Sequence, residues 1–180
     1  MAILLPERLQ TPRLILREPR KADAMHIFDA YAQDTEVARY MAWRPHQFVR
    51  ETDDFISYCI QGWASGRSRP YVLARSENAG IPIGMLEARI FSNTIDIGYV
   101  LQSSCWWLGF MSEAINAVSN AALAIPECFR IQGTCDTENH ASARTLQKCG
   151  FAMEGRLERH AVLPNLGPEP RPSLMYARCR

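Results

Sequence analysis

The chain has 180 residues and a net charge of +1 at pH 7, with 47% hydrophobic and 22% charged residues. A chain of this length can bury the core of one domain without metals or disulfides. The balanced charge argues against nucleic acid or an anionic membrane as a partner. We therefore expect a single domain over residues 1–180.

Two further features bear on compartment and metals. The six cysteines are scattered, without a Cys-x-x-Cys pair or the histidine spacing of a zinc site, so we expect reduced thiols and no metal. No stretch reaches the ~18 apolar residues of a membrane span, and the apolar start before Pro6 is too short for a signal peptide. These features favour a cytoplasmic protein.

The first third of the chain is predicted to form one strand and three helices. Alternating apolar residues predict a strand over residues 11–17, which Pro19 ends. Apolar residues spaced at i, i+3 and i+4 then predict the helices. Asp23 and Thr52 are placed as N-caps of the first and third, and Thr35 opens the second.

A meander of three antiparallel strands comes next, followed by a helix. The turn between the first two strands is placed at residues 78–80, and the helix is predicted over residues 112–125. The three strands are predicted over residues 71–75, 83–91 and 94–101.

Residues 131–155 read as a strand, a helix with Asn139 as its N-cap, a stop at Gly150 and the start of another strand. The order of all elements indicates an α+β fold, with helices flanking a mixed, mostly antiparallel sheet of about seven strands. The remaining predictions are strands over residues 151–160 and 174–179 and a loop over residues 163–172.

One set of residues in this stretch suggests a family: Asn139, Ser142, Leu146, Lys148, Gly150, Phe151, Glu154 and Gly155. Their order resembles the C-terminal acetyl-CoA motif of the GNAT superfamily of N-acetyltransferases, in its Rim-type (ribosomal-protein) version. The resemblance covers residues 11–179. It implies the GNAT fold, acetyl-CoA as co-substrate, and a splayed pair of parallel strands, residues 96–101 and 130–136, that holds the pantetheine arm.

The resemblance also implies a pyrophosphate site in residues 106–114, where backbone amides converge at a helix N-terminus. Gly109 allows a close approach, but Trp107 replaces a glycine and Leu108 a basic residue of the Rim-type pattern. A positive φ would be strained at Trp107. The cofactor-binding residues implied are Tyr99, Val100, Leu101, Leu108, Gly109, Phe110, Met111, Ser112, Asn139 and Ser142.

Acetyl transfer to an amine requires a neutral amine and a proton for the departing thiolate. A lysine-like amine costs about 4 kcal/mol to neutralise near pH 7.4, whereas an α-amine costs under about 1 kcal/mol. An α-amine therefore needs only a weak base or a water relay. Many GNAT enzymes place a tyrosine acid where this chain has Leu146, so Ser142 is the nearest substitute.

Several residues remain candidates for the general base, and the sequence does not choose among them. They are Glu87 and Asp96 on the meander, and Glu158 and His160, which two-residue spacing would place on one strand face. Water is a further alternative.

The resemblance implies an N-acetyltransferase acting on a primary amine, either a protein N-terminus or a small molecule. The alternative is an acyl-CoA-binding module with little or no turnover, which Trp107, Leu108 and Leu146 favour. The identity of the amine and a homodimeric state are both left open.

Overall fold

The computed structural model describes residues 3–180, so the first two residues of the N-terminal apolar stretch lie outside it. The strands are β1 (Arg8–Gln10), β2 (Leu14–Arg17), β3 (Ser68–Arg75), β4 (Asn78–Phe91), β5 (Thr94–Leu101), β6 (Arg130–Asp136), β7 (Ala152–Val162) and β8 (Pro170–Cys179). The helices are α1 (Asp23–Ile27), α2 (Thr35–Ala38), α3 (Val49–Ala64), α4 (Phe110–Leu123) and α5 (His140–Lys148). A π-helical turn, Phe28–Ala32, extends α1, and a 3-10 turn, Ser103–Cys105, follows β5.

The strands form one eight-stranded sheet in the order β1-β2-β3-β4-β5-β6-β8-β7. Among the described strands, β5 and β6 are the parallel pair and the other neighbours are antiparallel. The α+β prediction is confirmed. The eighth strand is β1, which pairs with β2 after a turn in which the amide of Thr11 bonds the carbonyl of Leu14.

The sheet separates two hydrophobic cores. Alternate residues of β3 show this, since Tyr71 and Leu73 face the larger core with α4 and α5, whereas Val72 faces the smaller core with α1 and α3. The larger core holds the elements of the C-terminal motif, including fully buried Leu146. The smaller core anchors the helical segment that the sequence predicts between the first two long strands.

The parallel strands β5 and β6 separate soon after they meet. Their pairing spans Thr94–Arg130, Ile95–Ile131 and Asp96–Gln132 and then ends. β4 still pairs with β5 as far as Leu101, and β8 pairs with β6 along its whole length. Each strand is thus held from its outer side while a gap opens between them, as the resemblance implies.

Helix α5 begins and ends as predicted. The Asn139 side chain accepts a hydrogen bond from the amide of Ser142 at 3.1 Å. At the other end Gly150 has a φ of +81°, and its amide bonds the carbonyl of Gln147 at 3.0 Å. The amide of Phe151 bonds the carbonyl of Leu146 at 3.1 Å, which completes a Schellman motif.

Two predicted N-caps are wrong. Thr52 lies within the first turns of α3, buried, with its hydroxyl 2.7 Å from Nδ1 of His46. Glu51 instead accepts the free amides before α3, including that of Phe48 at 2.9 Å. Asp23 is the first residue of α1 rather than its cap, because its carboxylate is committed to a buried ion pair with Arg17 at 2.7 Å.

Several predicted boundaries also shift. The second strand begins at Leu14, because residues 11–13 form the turn after β1, and β8 begins at Pro170, inside the loop predicted over residues 163–172. The first meander turn falls at residues 76–77 rather than 78–80, since β4 already begins at Asn78. Helix α4 begins at Phe110, two residues early, because Gly109 serves as its N-cap.

The loop before α4 contains a strained residue. Trp107 has a φ of +65°, in the left-handed region, and its side chain is 77% exposed. Gly109 has a φ of +80°, which glycine tolerates. The strain expected at Trp107 is therefore present in the backbone.

Replacing Gly150 with alanine is expected to lower the free energy of unfolding by about 1 kcal/mol. The cost is conformational, since the nearest atom to an added Cβ is Cδ of Arg178 at 3.9 Å. Gly155→Ala is the matched control, because Gly155 has no positive φ and open space around its Cβ, so it should be neutral or stabilising. Urea unfolding of both variants measures the difference. Equal effects would contradict a left-handed stop at Gly150.

Replacing Trp107 with glycine should raise the free energy of unfolding by about 1 kcal/mol, because the left-handed strain is relieved and little burial is lost. Leu108→Gly is the control, since Leu108 is 55% exposed and has no positive φ. It should lose about 0.5–1 kcal/mol through backbone entropy. Chemical denaturation of both proteins would refute the prediction if Trp107→Gly were destabilised as much as Leu108→Gly.

Candidate active site

A cleft of about 510 Å³ opens where β5 and β6 part. Its walls come from the end of β5, the loop and first turn of α4, the exposed face of α5, and α2 with the residues after it. Leu108 is not part of the lining. The residues predicted to bind the cofactor that do line the cleft are Tyr99, Val100, Leu101, Gly109, Phe110, Met111, Ser112, Asn139 and Ser142.

The N-terminus of α4 offers unpartnered amides to this cleft. Gly109 caps the helix without a side-chain hydrogen bond, so the amides of the first turn lack intrahelical acceptors. The helix has 14 residues, and its dipole places partial positive charge at this end. The chemistry of this donor set fits a phosphate group.

Arg13 holds the altered loop from outside the cleft. Its Nη1 donates to the carbonyl of Leu108 at 2.9 Å, and its Nε donates to Glu113 at 2.7 Å. The guanidinium also lies 4.6 Å from the ring centre of Phe110. Partial burial alone would raise the pKa of Glu113, but hydrogen bonds from Thr11 and Arg13 outweigh burial and lower that pKa. Sequence reasoning missed this role, because Arg13 and Glu113 lie 100 residues apart.

Helix α5 contributes positive charge to the cleft. Arg144 and Lys148 lie one turn apart, both line the cleft, and neither forms an ion pair within residues 3–180. The guanidinium of Arg144 lies 5.7 Å from the ring of Trp107 across the cleft mouth. The cleft therefore carries positive charge, although Leu108 replaces the basic residue of the Rim-type pattern. Lys148 belonged to the predicted motif, whereas Arg144 was missed.

The predicted acid Ser142 has two close neighbours, half-buried Tyr99 and buried Cys135. The phenol oxygen of Tyr99 lies 2.7 Å from Oγ of Ser142. Burial raises the pKa of Tyr99, although the hydrogen bond with Ser142 opposes this. Burial likewise raises the pKa of Cys135 to about 11, again against a hydrogen bond with Ser142. Leu146, where the family tyrosine would stand, is fully buried in the core.

Two of the candidate bases lie outside the cleft lining. Arg89 bonds Glu87 at 2.9 Å and Asp96 at 2.5 Å, so both carboxylates are engaged in one ion-pair network. Arg89 extends across β5, since a Cβ added at Gly98 would lie 3.1 Å from its Nη1. Neither carboxylate is brought next to Ser142.

Glu158 and His160 also lie outside the lining, on an irregular part of β7. Pairing with β8 passes from Leu157 directly to Ala161, and Arg159 has a φ of +49°. This bulge interrupts the alternation that placed Glu158 and His160 on one face. Glu158 pairs with Arg156 at 2.6 Å and His160 lies 3.1 Å from Ser173.

The remaining wall of the cleft was not anticipated. Glu36, Arg39, Tyr40 and Met41 line it. The Tyr40 hydroxyl donates to the carbonyl of Glu138 at 3.3 Å, which ties this segment to the bend before α5. Short segments without a motif leave no sequence signal for such a wall.

Within residues 3–180, none of the helices has the length and apolar character to span a membrane. No group of three His, Cys, Asp or Glu side chains in that range is arranged to hold a metal ion. The six cysteines are free thiols.

Comparisons with known proteins agree with this geometry. The family described as Acetyltransferase (GNAT) domain matches residues 13–152. Related sequences include the uncharacterized N-acetyltransferase YoaA of Bacillus subtilis (strain 168), 29% identical over 84% of this chain and 86% of YoaA. The uncharacterized N-acetyltransferase p20 of Bacillus licheniformis is 28% identical over 84% of this chain and 85% of p20.

Solved structures share the fold at lower identity. The Microcin C7 self immunity acetyltransferase MccE, in complex with acetyl-CoA and AMP, has a TM-score of 0.87 at 19% identity and covers 99% of both chains. RimL, a ribosomal L7/L12 alpha-N-protein acetyltransferase in complex with coenzyme A, has a TM-score of 0.82 at 19% identity, covering 99% of this chain and 98% of RimL. The family matches most of this chain, and the cleft has the splayed strands, the amide-lined helix end and the basic α5 described above. This chain therefore belongs to the GNAT acetyltransferase family and uses acetyl-CoA as its co-substrate.

Proposed function

We propose that this acetyltransferase moves acetyl to a primary α-amine, of a protein N-terminus or of a small molecule. The observation that carries the proposal is the scarcity of bases in the cleft. Glu36 is the one carboxylate among its described lining residues, it is exposed, and histidine is missing from that lining. A lysine-like amine would need about 4 kcal/mol to lose its proton near pH 7.4, whereas an α-amine needs under about 1 kcal/mol.

The names of two relatives support the same acceptor class. RimL is described as an alpha-N-protein acetyltransferase, and a Vibrio cholerae relative with a TM-score of 0.84 is described as a putative ribosomal-protein-serine acetyltransferase. In both cases the fold is shared at 19% identity. The acceptor of this chain is inferred from its own cleft, and these names agree with it.

Each wall of the cleft has a role in the proposal. Acetyl-CoA supplies an activated acetyl thioester with a thiolate leaving group. The amides at the start of α4 hold the pyrophosphate, together with Arg144 and Lys148. The free edge of β5 beyond Asp96 bonds the pantetheine arm, and Asn139 closes its far side. Ser142 donates a hydrogen bond where negative charge develops on sulfur.

The amine proton then leaves through water or a weak base. Glu36, which lines the cleft, is the weak base available there. Glu87 lies outside the lining and is bonded to Arg89, and His160 lies outside it beside Ser173. A weak acceptor suffices for an α-amine because its pKa lies near the working pH.

An acceptor panel tests the proposal by measuring thiol release from acetyl-CoA. A peptide with a free α-amine and no lysine should exceed Nα-acetyl-lysine in kcat/KM by about 10²-fold at pH 7.4, since the costs of neutralisation differ by about 3 kcal/mol. The α-amine rate should level off above about pH 8, whereas the lysine rate should keep rising. Transfer to the lysine amine alone would refute the α-amine assignment.

The same panel separates the alternative reading. Coenzyme A binding by calorimetry, with no thiol release for any amine, would instead support an acyl-CoA-binding module. The buried Leu146 and the altered loop favour that reading. Turnover with an α-amine excludes it.

Arg144→Ala should weaken coenzyme A binding by about tenfold, because a charge-assisted contact to phosphate is lost. The loss should shrink as salt is raised, since screening weakens the same attraction in the parent protein. Arg50→Ala removes an exposed arginine outside the cleft lining and should leave the affinity unchanged. Isothermal calorimetry at two ionic strengths measures both; equal affinities for the two variants would remove Arg144 from the phosphate site.

A further inference from the structure

The contact between Tyr99 and Ser142 has a direction that chemistry can decide. The two oxygens lie 2.7 Å apart, so one hydroxyl donates to the other. If Ser142 donated, the nearest acceptor for the phenol hydrogen would be the carbonyl of Ser142 at 3.5 Å, a much weaker bond. If Tyr99 donates, its hydrogen is fully used and Ser142 keeps a free one. A phenol is also the stronger donor of the two.

We propose that Tyr99 is a positioning residue for acetyl transfer, because its phenol donates to Oγ of Ser142 and leaves the serine hydrogen to point into the cleft at the thioester sulfur. The inference rests on the proposed function, in which Ser142 assists departure of the thiolate. Both residues line the cleft, Tyr99 from β5 and Ser142 from α5, so their contact lies where the two walls meet.

The other neighbour of Ser142 competes only weakly for that hydrogen. Cys135 is 7% exposed and stays a neutral thiol near pH 7, since burial raises its pKa to about 11. A neutral thiol is a weak acceptor and a weak donor. The pKa of the Tyr99 phenol is also raised by burial, so Tyr99 remains a donor through the range in which amines are acetylated.

The proton balance of the step needs no ionised tyrosine. The nitrogen–carbon bond forms, the carbon–sulfur bond breaks, and its electron pair goes to sulfur. The amine nitrogen gives up one proton and the sulfur ends with one, so no net proton is taken from the protein. Ser142 stabilises the sulfur by hydrogen bonding as charge develops, and Tyr99 fixes the side from which it does so.

Two readouts test the inference. Tyr99→Phe should lower kcat by about tenfold, with the KM for acetyl-CoA unchanged, because the bond to Ser142 matters only as the thiolate departs. In a Ser142→Ala background, Tyr99→Phe should lower kcat by less than about a further twofold, because the hydrogen bond that it removes is already absent. Without any acceptor, the thiol pKa of bound coenzyme A should rise by about one pH unit in Tyr99→Phe. The thiolate absorbance of loaded minus unloaded protein measures it.

Tyr176→Phe is the matched control. It removes the hydroxyl of a buried tyrosine beside α5, which contacts Gln147 at 3.5 Å rather than Ser142. It should leave kcat and the bound thiol pKa unchanged. Thermal unfolding of each variant is measured alongside. If Tyr99→Phe does not fold, Ser142→Ala, which removes the other partner of the same hydrogen bond, must raise the thiol pKa by the same amount.

The outcomes separate the two proposals. Absence of turnover in the parent protein would refute the proposed function, while the thiol titration would still test Tyr99. The inference on Tyr99 is overturned if Tyr99→Phe matches Tyr176→Phe in both readouts. It is equally overturned if the loss in kcat is as large in the Ser142→Ala background.

Discussion

The site depends on one constraint, the early separation of two parallel strands. β5 and β6 pair over three residues and then separate. Beyond that point their facing backbone groups no longer bond each other, so they need water or a ligand as a hydrogen-bond partner. The outer neighbours β4 and β8 keep each strand ordered across the gap. Gly133 stands at the point of parting, where an added Cβ would lie 3.3 Å from the carbonyl of Ile97. The pairing with β4 and β8 therefore stabilises the gap as part of the sheet.

Helix α5 turns this gap into a site. Its N-terminal cap, Asn139, lies at the end of the bend after β6, and its C-terminal stop fixes the entry of β7. Between these ends Leu146 is buried in the core, Ser142 lies one turn before it on the same side, and Arg144 and Lys148 lie on the opposite side; all but Leu146 line the cleft.

The sequence predicts most of what is local and little of what is distant. The cap at Asn139 and the stop at Gly150 depend on residues within one turn, and both predictions hold. The N-cap at Thr52 failed because the helix already begins at Val49, where Glu51 accepts the preceding amides of Gln47 and Phe48. The contacts of Arg13 with Glu113 and of Tyr99 with Ser142 join residues far apart in the chain. No spacing rule reports such pairs, so the structure was needed to find them.

The altered cofactor loop shows how a site tolerates unusual residues. A pyrophosphate is held by amides, and amides survive the replacement of glycine by Trp107 provided that the backbone keeps its course. The left-handed residue costs about 1–2 kcal/mol. Against it stand hydrogen bonds from the charged Arg13 to Leu108 and Glu113; because the Arg13 side chain is about half exposed, each is worth about 0.2–1 kcal/mol. These contacts offset much of the strain and help the loop to keep its shape, while Trp107 is left exposed beside the guanidinium of Arg144.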